Sequence, residues 1–204
     1  GSNISFDDLK PMSSYLGKPG DEAQGGLPWD EYTRRQDQFQ NAEIAALNDT
    51  GHFIQRSHDL YQYPHFICDT GGSICEWVDA NDPADPVLKM LSDSCLMVWI
   101  KGSDDHTSDL VQRFDQAPKP MAYEPEFLLA VWNEYLIENN FVEGDVDPDT
   151  FIRWTYARAL AHRQPRYEAI AKNWGIVVQA SDMGSVRDEA DFVAVIALGL
   201  ATHG

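Results

Sequence analysis

The stretch His65-Phe66-Ile67-Cys68-Asp69-Thr70-Gly71-Gly72-Ser73 joins a short apolar run to a turn that contains two glycines. An apolar run with aromatic and β-branched residues predicts a buried strand. The glycines after it leave backbone N–H groups that no side chain covers. In an open α/β sheet, ligands bind beyond the carboxyl ends of the strands. We therefore expect Thr70, Gly71 and Gly72 to form the floor of a site for a small anionic ligand, with an ordinary turn as the alternative.

Other apolar runs extend this strand into a predicted sheet. The six residues from Cys95 to Ile100 are apolar without interruption, Gly175 to Gln179 are predicted as a third buried strand, and Asn3 to Phe6 as a short strand. Helical patterns separate these runs. Alternating strands and helices predict a parallel sheet with helices on both faces. The predicted fold class is therefore α/β, a three-layer sandwich with a mainly parallel sheet.

The predicted helices follow from apolar periodicity and from end signals such as early acids and prolines. Pro165 lies inside the longest of them and should kink or split it. The segment His52 to Tyr63 is ambiguous between a helix end and a loop. The predicted helices are Pro28 to Leu47, Val87 to Leu91, Asp104 to Phe114, Glu126 to Glu138, Asp149 to Lys172 and Asp188 to Ala201.

Composition narrows the class of protein. The chain has 204 residues, 43% of them hydrophobic, and a formal net charge of −18. Such a charge repels phosphate backbones, so nucleic acid is not an expected partner. No apolar run approaches the roughly 18 residues of a membrane span. The three cysteines, Cys68, Cys75 and Cys95, lie in or beside apolar runs, which predicts buried reduced thiols and a cytoplasmic protein.

Four short segments together resemble the P-loop small-molecule kinases, most closely the shikimate kinase branch. They are Ser5-Phe6-Asp7-Asp8, Phe39-Gln40-Asn41-Ala42-Glu43, Thr70-Gly71-Gly72-Ser73 and Arg163-Gln164-Pro165-Arg166-Tyr167-Glu168. The resemblance implies a single P-loop NTPase-like domain over residues 1–204, with an enlarged helical lid at 116–151. It also implies an ATP-dependent phosphotransferase that uses Mg²⁺ and acts on a small hydroxylated, anionic metabolite.

The resemblance also implies acidic residues at the catalytic centre. Asp7 and Asp8 would organise Mg²⁺ or accept the proton of the acceptor hydroxyl. The alternative for this pair is a helix N-cap. Asp69 would be a further magnesium-associated carboxylate, and its alternative role is to stabilise the turn that follows it.

The remaining predicted site residues are the glycine turn and three cations. Thr70, Gly71 and Gly72 would seat the acceptor together with Arg163, for which a solvated arginine at a helix end is the alternative. Lys119, in the lid, would close over the phosphates. Arg113 would flank the adenine, although a cation that complements the dipole of its helix is the stronger interpretation.

Two departures from the family pattern change the expectation. The sequence contains no Gly-x-x-x-x-Gly-Lys-Ser/Thr loop, which would cradle the phosphates. We expect the chain to be a piece of a longer protein in which that loop precedes Asn3, and the alternative is that the loop was lost. Gln40 stands where the family has an arginine for the substrate carboxylate, so an acceptor other than shikimate is expected. A non-catalytic nucleotide- or metabolite-binding module and an ATPase without an acceptor are the alternative functions.

Overall fold

The computed structural model describes residues 14–202. Three short 3₁₀ helices in this range are Glu22–Gln24, Gly72–Glu76 and Glu143–Asp145. The α-helices and strands in chain order are α1 Trp29–Asn48, α2 Thr50–Tyr61, α3 Pro86–Ser94, β1 Met97–Lys101, α4 Asp104–Gln116, α5 Pro125–Asn139, α6 Pro148–Trp174, β2 Gly175–Gln179, α7 Ala180–Met183 and α8 Glu189–Thr202.

The predicted three-layer sandwich with a mainly parallel sheet is wrong for this structure. Residues 14–202 are mostly helical, and their one sheet has two strands. The segment His65 to Asp69, predicted as a buried strand, is an irregular loop in which the Ile67 side chain is 77% exposed. An apolar run becomes a strand only where a neighbouring strand can pair with it, and residue pattern alone does not supply that partner. The predicted strand at Asn3 lies outside the described residues.

The two observed strands are parallel and in simple register. Met97 lies opposite Gly175, and Lys101 lies opposite Gln179. The bounds of β2 match the prediction. The prediction that β1 is a fully buried strand is wrong. Val98 and Ile100 are 36% and 50% exposed, while the strand residues between and beside them are less exposed. An alternating burial pattern is that of a strand covered on one face only.

The helix predictions agree better with the structure. The predicted helices that correspond to α1, α4, α5 and α8 begin and end within two residues of the observed bounds. The ambiguous segment lies mostly in α2, which ends at Tyr61; the next residue, Gln62, caps the helix with a positive φ of 55°. Pro165 does not split α6, whose 27 residues form one continuous helix. A proline removes one helical hydrogen bond, and the buried side chains on both sides of it, such as Ile152 and Ile170, favour the continuous helix.

The chain forms two compact units. Unit 1 contains residues 14–42 and Leu110–Leu160, and unit 2 contains Glu43–Asp109 and residues 161–202. The boundaries between them fall inside α1, α4 and α6. None of the described helices is both long and apolar enough to span a lipid bilayer.

The core of unit 1 is rich in aromatic side chains. Trp132 is 2% exposed, and its ring stacks on Trp29 with centroids 4.7 Å apart. The buried Gln36 side chain donates to the carbonyl of Met121 and accepts from the N–H of Tyr123, which fixes the loop before α5 to α1. The segment 116–151 therefore supplies much of this core through α5. Its role as a lid stays a prediction.

The core of unit 2 forms around β2 and the 3₁₀ helix Gly72–Glu76. The α8 helix packs on β2 at Gly199, where a Cβ would lie 3.0 Å from Ile176 and 3.1 Å from Val178. The absence of a side chain at Gly199 permits this close approach of helix and strand. Two clusters of buried apolar residues surround the 3₁₀ helix: Leu47, Ile74, Val87 and Leu91 in one, and Cys75, Ala80, Leu88 and Ile170 in the other.

The N-cap of α3 leads to the first prediction. The carboxylate of Asp85 accepts from the N–H groups of Val87 and Leu88 through one oxygen and from the N–H of Asp79 through the other. We expect Asp85→Ala to lower the free energy of unfolding by about 1–2 kcal/mol, because these donors lose their acceptor. Urea denaturation followed by circular dichroism measures this. Asp85→Asn keeps a capping oxygen and is the control; equal losses in both variants would contradict the capping role.

Candidate functional site

The glycine turn lies at the start of the 3₁₀ helix Gly72–Glu76. Gly71 has φ 67° and ψ 168°, a conformation that residues with a side chain rarely adopt. The Asp69 carboxylate accepts from the N–H of Gly71 at 2.9 Å. One Asp69 oxygen therefore stabilises the turn, which is the alternative to a magnesium-associated role for this residue.

Glu43 on α1 holds the other side of the same turn. One carboxylate oxygen accepts from the Ser73 hydroxyl at 2.5 Å, and the other accepts from the Trp77 indole N–H at 2.7 Å. Charge-assisted hydrogen bonds of this kind are stronger than those between neutral groups. The last residue of the Phe39 to Glu43 segment is thereby joined to the glycine turn.

Tyr167 on α6 holds the turn at Gly72. Its hydroxyl donates to the Gly72 carbonyl at 2.6 Å. Burial raises the pKa of Tyr167, so the phenol keeps the proton that this bond requires. A Cβ on Gly72 would lie 2.9 Å from that hydroxyl and 3.7 Å from a guanidinium nitrogen of Arg163. Glycine at position 72 is what allows α6 to approach the turn this closely.

Arg163 and Glu76 form a buried ion pair beside the turn. The Arg163 Nε lies 2.5 Å from a Glu76 oxygen, and the two side chains are 6% and 0% exposed. Burial is the largest single influence and lowers the pKa of Arg163, but Glu76 together with Tyr167 and Cys75 more than offsets it, so the pKa of the guanidinium is raised. His162 Nε2 lies 3.6 Å from the second Glu76 oxygen. Arg163 is thus not a solvated arginine, and its charge is compensated within the protein.

A half-open cleft of about 230 Å³ adjoins the turn. Phe53 and Phe66 contribute aromatic surface to it, while Glu43, Asp69 and Thr70 contribute polar groups. Ala46, Leu47, Thr50 and Cys68 complete the lining. A concave site with apolar walls and a few polar groups is the usual form of a small-molecule site.

The structure brings together some of the predicted site residues. Thr70, Gly71, Gly72 and Asp69 form one turn, and Arg163 lies against it. Lys119 and Arg113 are exposed and belong to unit 1. Their predicted contacts with a nucleotide stay predictions. The predicted catalytic residues Asp7 and Asp8 lie outside the described residues.

The described part of the chain does not contain a complete metal site. No group of three or more His, Cys, Asp or Glu side chains in residues 14–202 is placed to hold an ion. Magnesium in phosphotransferases is usually held by one or two carboxylates together with substrate phosphates. Asp69, exposed at the edge of the cleft, is compatible with such a role, since one of its oxygens is not needed by Gly71.

Sequence reasoning missed Glu76 and Trp77. Glu76 is an acid within an otherwise apolar run from Ile74 to Val78. A lone acid in such a run signals a buried carboxylate that needs a cationic partner. Burial, with a smaller contribution from Glu76, raises the pKa of the neighbouring Cys75 thiol to about 11. Cys75 is buried as predicted, whereas Cys68 and Cys95 are only partly buried.

No family model, curated protein or solved structure matches this chain. The resemblance to small-molecule kinases therefore depends on the motif residues alone and stays a prediction.

Proposed function

We propose that this chain is part of an ATP-dependent phosphotransferase and that the cleft beside the glycine turn binds its small hydroxylated acceptor. The observation that carries this proposal is that two motif segments, distant in sequence, both form hydrogen bonds to a third, the glycine turn. Glu43 accepts from the Ser73 hydroxyl, and the Tyr167 hydroxyl donates to the Gly72 carbonyl. Glu43 and Thr70, from two of these segments, also line the adjoining cleft.

The turn supplies the groups that would contact the acceptor. Asp69 and Thr70 both line the cleft, so a carboxylate and a hydroxyl are available to an acceptor hydroxyl. Such groups orient a hydroxyl and accept its proton when phosphate is transferred to it. The Arg163 guanidinium, paired with Glu76, lies beside Gly72, and in this proposal Arg163 positions the turn while the acceptor contacts other groups.

The nucleotide part of the proposal depends on the resemblance. Asp7 and Asp8 are proposed to act with Mg²⁺, and Lys119 and Arg113 to contact the nucleotide. When bound, ATP with Mg²⁺ would supply the transferred phosphoryl group.

Titration of protein made from the complete reading frame with ATP and Mg²⁺, followed by an assay of ADP formation with pools of small hydroxylated metabolites, tests the function. We expect saturable heat of ATP binding and ADP formation that requires an acceptor. Asp8→Asn should lower the rate by at least about a hundredfold, since general-base groups contribute about 10²–10⁴. Asp93→Asn, at an exposed position of α3, is the matched control. The absence of both heat and competition with a fluorescent ATP analogue would refute the proposal.

A non-catalytic metabolite-binding module is the second candidate. The compensation of Arg163 by Glu76 favours it, because the best-placed cation is already paired within the protein. In that case ligand affinity should be almost unchanged in Asp8→Asn, and no turnover should occur. Phosphate release without any acceptor would instead identify an ATPase.

A further inference from the structure

The size of the cleft limits its ligand to a small metabolite. Its volume of about 230 Å³ is below the range of roughly 300–1,000 Å³ that drug-sized ligands occupy. The cleft is also half open, so one end of the ligand stays accessible to a second reactant. A compound the size of a single sugar ring fits both conditions.

The charge of the cleft is negative. Its lining contains two carboxylates, those of Glu43 and Asp69, and no Lys, Arg or His. The cation nearest to the turn, Arg163, is compensated by the buried Glu76. The net charge of −18 adds a long-range field of the same sign. An anionic ligand would meet repulsion here, whereas a cation would be attracted.

The apolar part of the lining also favours a cation. Phe53 and Phe66 present aromatic rings, and the faces of aromatic rings attract ammonium groups. Thr50, 3% exposed, supplies a hydroxyl whose contact with the Cys68 sulfur at 3.8 Å is weak. This hydroxyl keeps the capacity for a hydrogen bond with a ligand hydroxyl.

We propose that the acceptor is a hydroxylated primary amine, bound as its ammonium form between Asp69, Glu43 and the aromatic side chains. That this amine accepts a phosphoryl group rests on the proposed function, but its binding to the cleft does not require ATP. A cationic acceptor thus replaces the anionic one expected from the resemblance.

Three sugars of equal ring size test the charge preference. Glucosamine, glucose and glucuronate carry a positive, zero and negative charge, and their binding to the full chain is measured by NMR titration at pH 7 without nucleotide. We expect glucosamine to bind about tenfold more tightly than glucose, and glucuronate to bind more weakly than either. Equal affinities, tighter binding of glucuronate or no binding of any of the three would overturn the inference.

Two variants locate the binding in the cleft. Asp69→Asn removes a charge but keeps an oxygen that can accept from Gly71, so the turn is retained. Asp69→Asn should lower the affinity for glucosamine about fivefold and leave the affinity for glucose unchanged. Asp93→Asn removes a charge at an exposed position outside the cleft and should change neither. Equal effects of the two variants would mean that glucosamine responds only to overall charge. These binding measurements contain no ATP. A missing charge preference would therefore contradict the amine inference alone, whereas missing ADP formation would contradict the proposed phosphotransferase function.

Discussion

Arg163→Ala is expected to lower the free energy of unfolding by about 3–5 kcal/mol. The substitution leaves the carboxylate of Glu76, which is 0% exposed, without the cation that compensates it. Breaking a buried ion pair by removal of one partner costs about this amount, because the remaining charge stays buried. The loss of unfolding free energy is measured by urea denaturation, as the shift of the midpoint concentration while the m-value stays constant.

The double variant Arg163→Met with Glu76→Gln separates the ion pair from simple packing. It removes both charges, so its loss of stability should be smaller than that of Arg163→Ala alone. Lys89→Ala, which removes an exposed partner 3.8 Å from Asp93, is the control and should change stability by less than about 1 kcal/mol. If Arg163→Ala unfolds at the same urea concentration as Lys89→Ala, the Glu76 carboxylate is not buried against Arg163 in solution.

Gly20→Ala is expected to cost about 2–6 kcal/mol in unit 1. Gly20 has a φ of +134°, and a Cβ there would lie 2.3 Å from the carbonyl oxygen of Val146. Backbone strain of a residue with a side chain at positive φ costs about 1–3 kcal/mol. Displacement of packed atoms costs about 1–3 kcal/mol more. Thermal and urea unfolding measure the sum.

Two other glycines of unit 1 separate these contributions. Gly25 has a φ of +84° but no atom within 4 Å of its Cβ position, so Gly25→Ala should show the strain alone. Gly144 also has open space and no such φ, so Gly144→Ala should stay within about 0.5 kcal/mol of the parent. The expected order of loss is Gly20, then Gly25, then Gly144. A loss at Gly144 as large as that at Gly20 would contradict this account.

The sequence predicted local structure where the signal itself is local. The α5 helix begins at Pro125 after an acidic cap at Glu124, and such end signals lie within a few residues of one another. The strand β2 was also predicted correctly from its apolar run. The loop around Ile67 was predicted wrongly because a strand needs a partner, and pairing is a property of the whole fold. The number of strands in the sheet, and so the fold class, depended on that pairing.

For the candidate site, the sequence indicated the groups but not how they are joined. It singled out Thr70 to Gly72 and Arg163, which the structure places together. It did not predict that Glu76 compensates Arg163, because residues 87 positions apart meet only through tertiary packing. The expected charge of the ligand depended on this contact. An uncompensated arginine suggests an anionic ligand, whereas a compensated arginine leaves the carboxylates of the cleft as the dominant charges.

The half-covered strand β1 has a consequence for the behaviour of the protein in solution. Leu96, Val98 and Ile100 offer water an apolar surface next to backbone that can pair with another extended chain. At neutral pH, mutual repulsion between highly negative molecules keeps such surfaces apart. That repulsion vanishes near the isoelectric point of about 4.4. Acidification towards this pH therefore favours self-association and precipitation, and purification at neutral or slightly alkaline pH and low ionic strength, where the repulsion is not screened, avoids it.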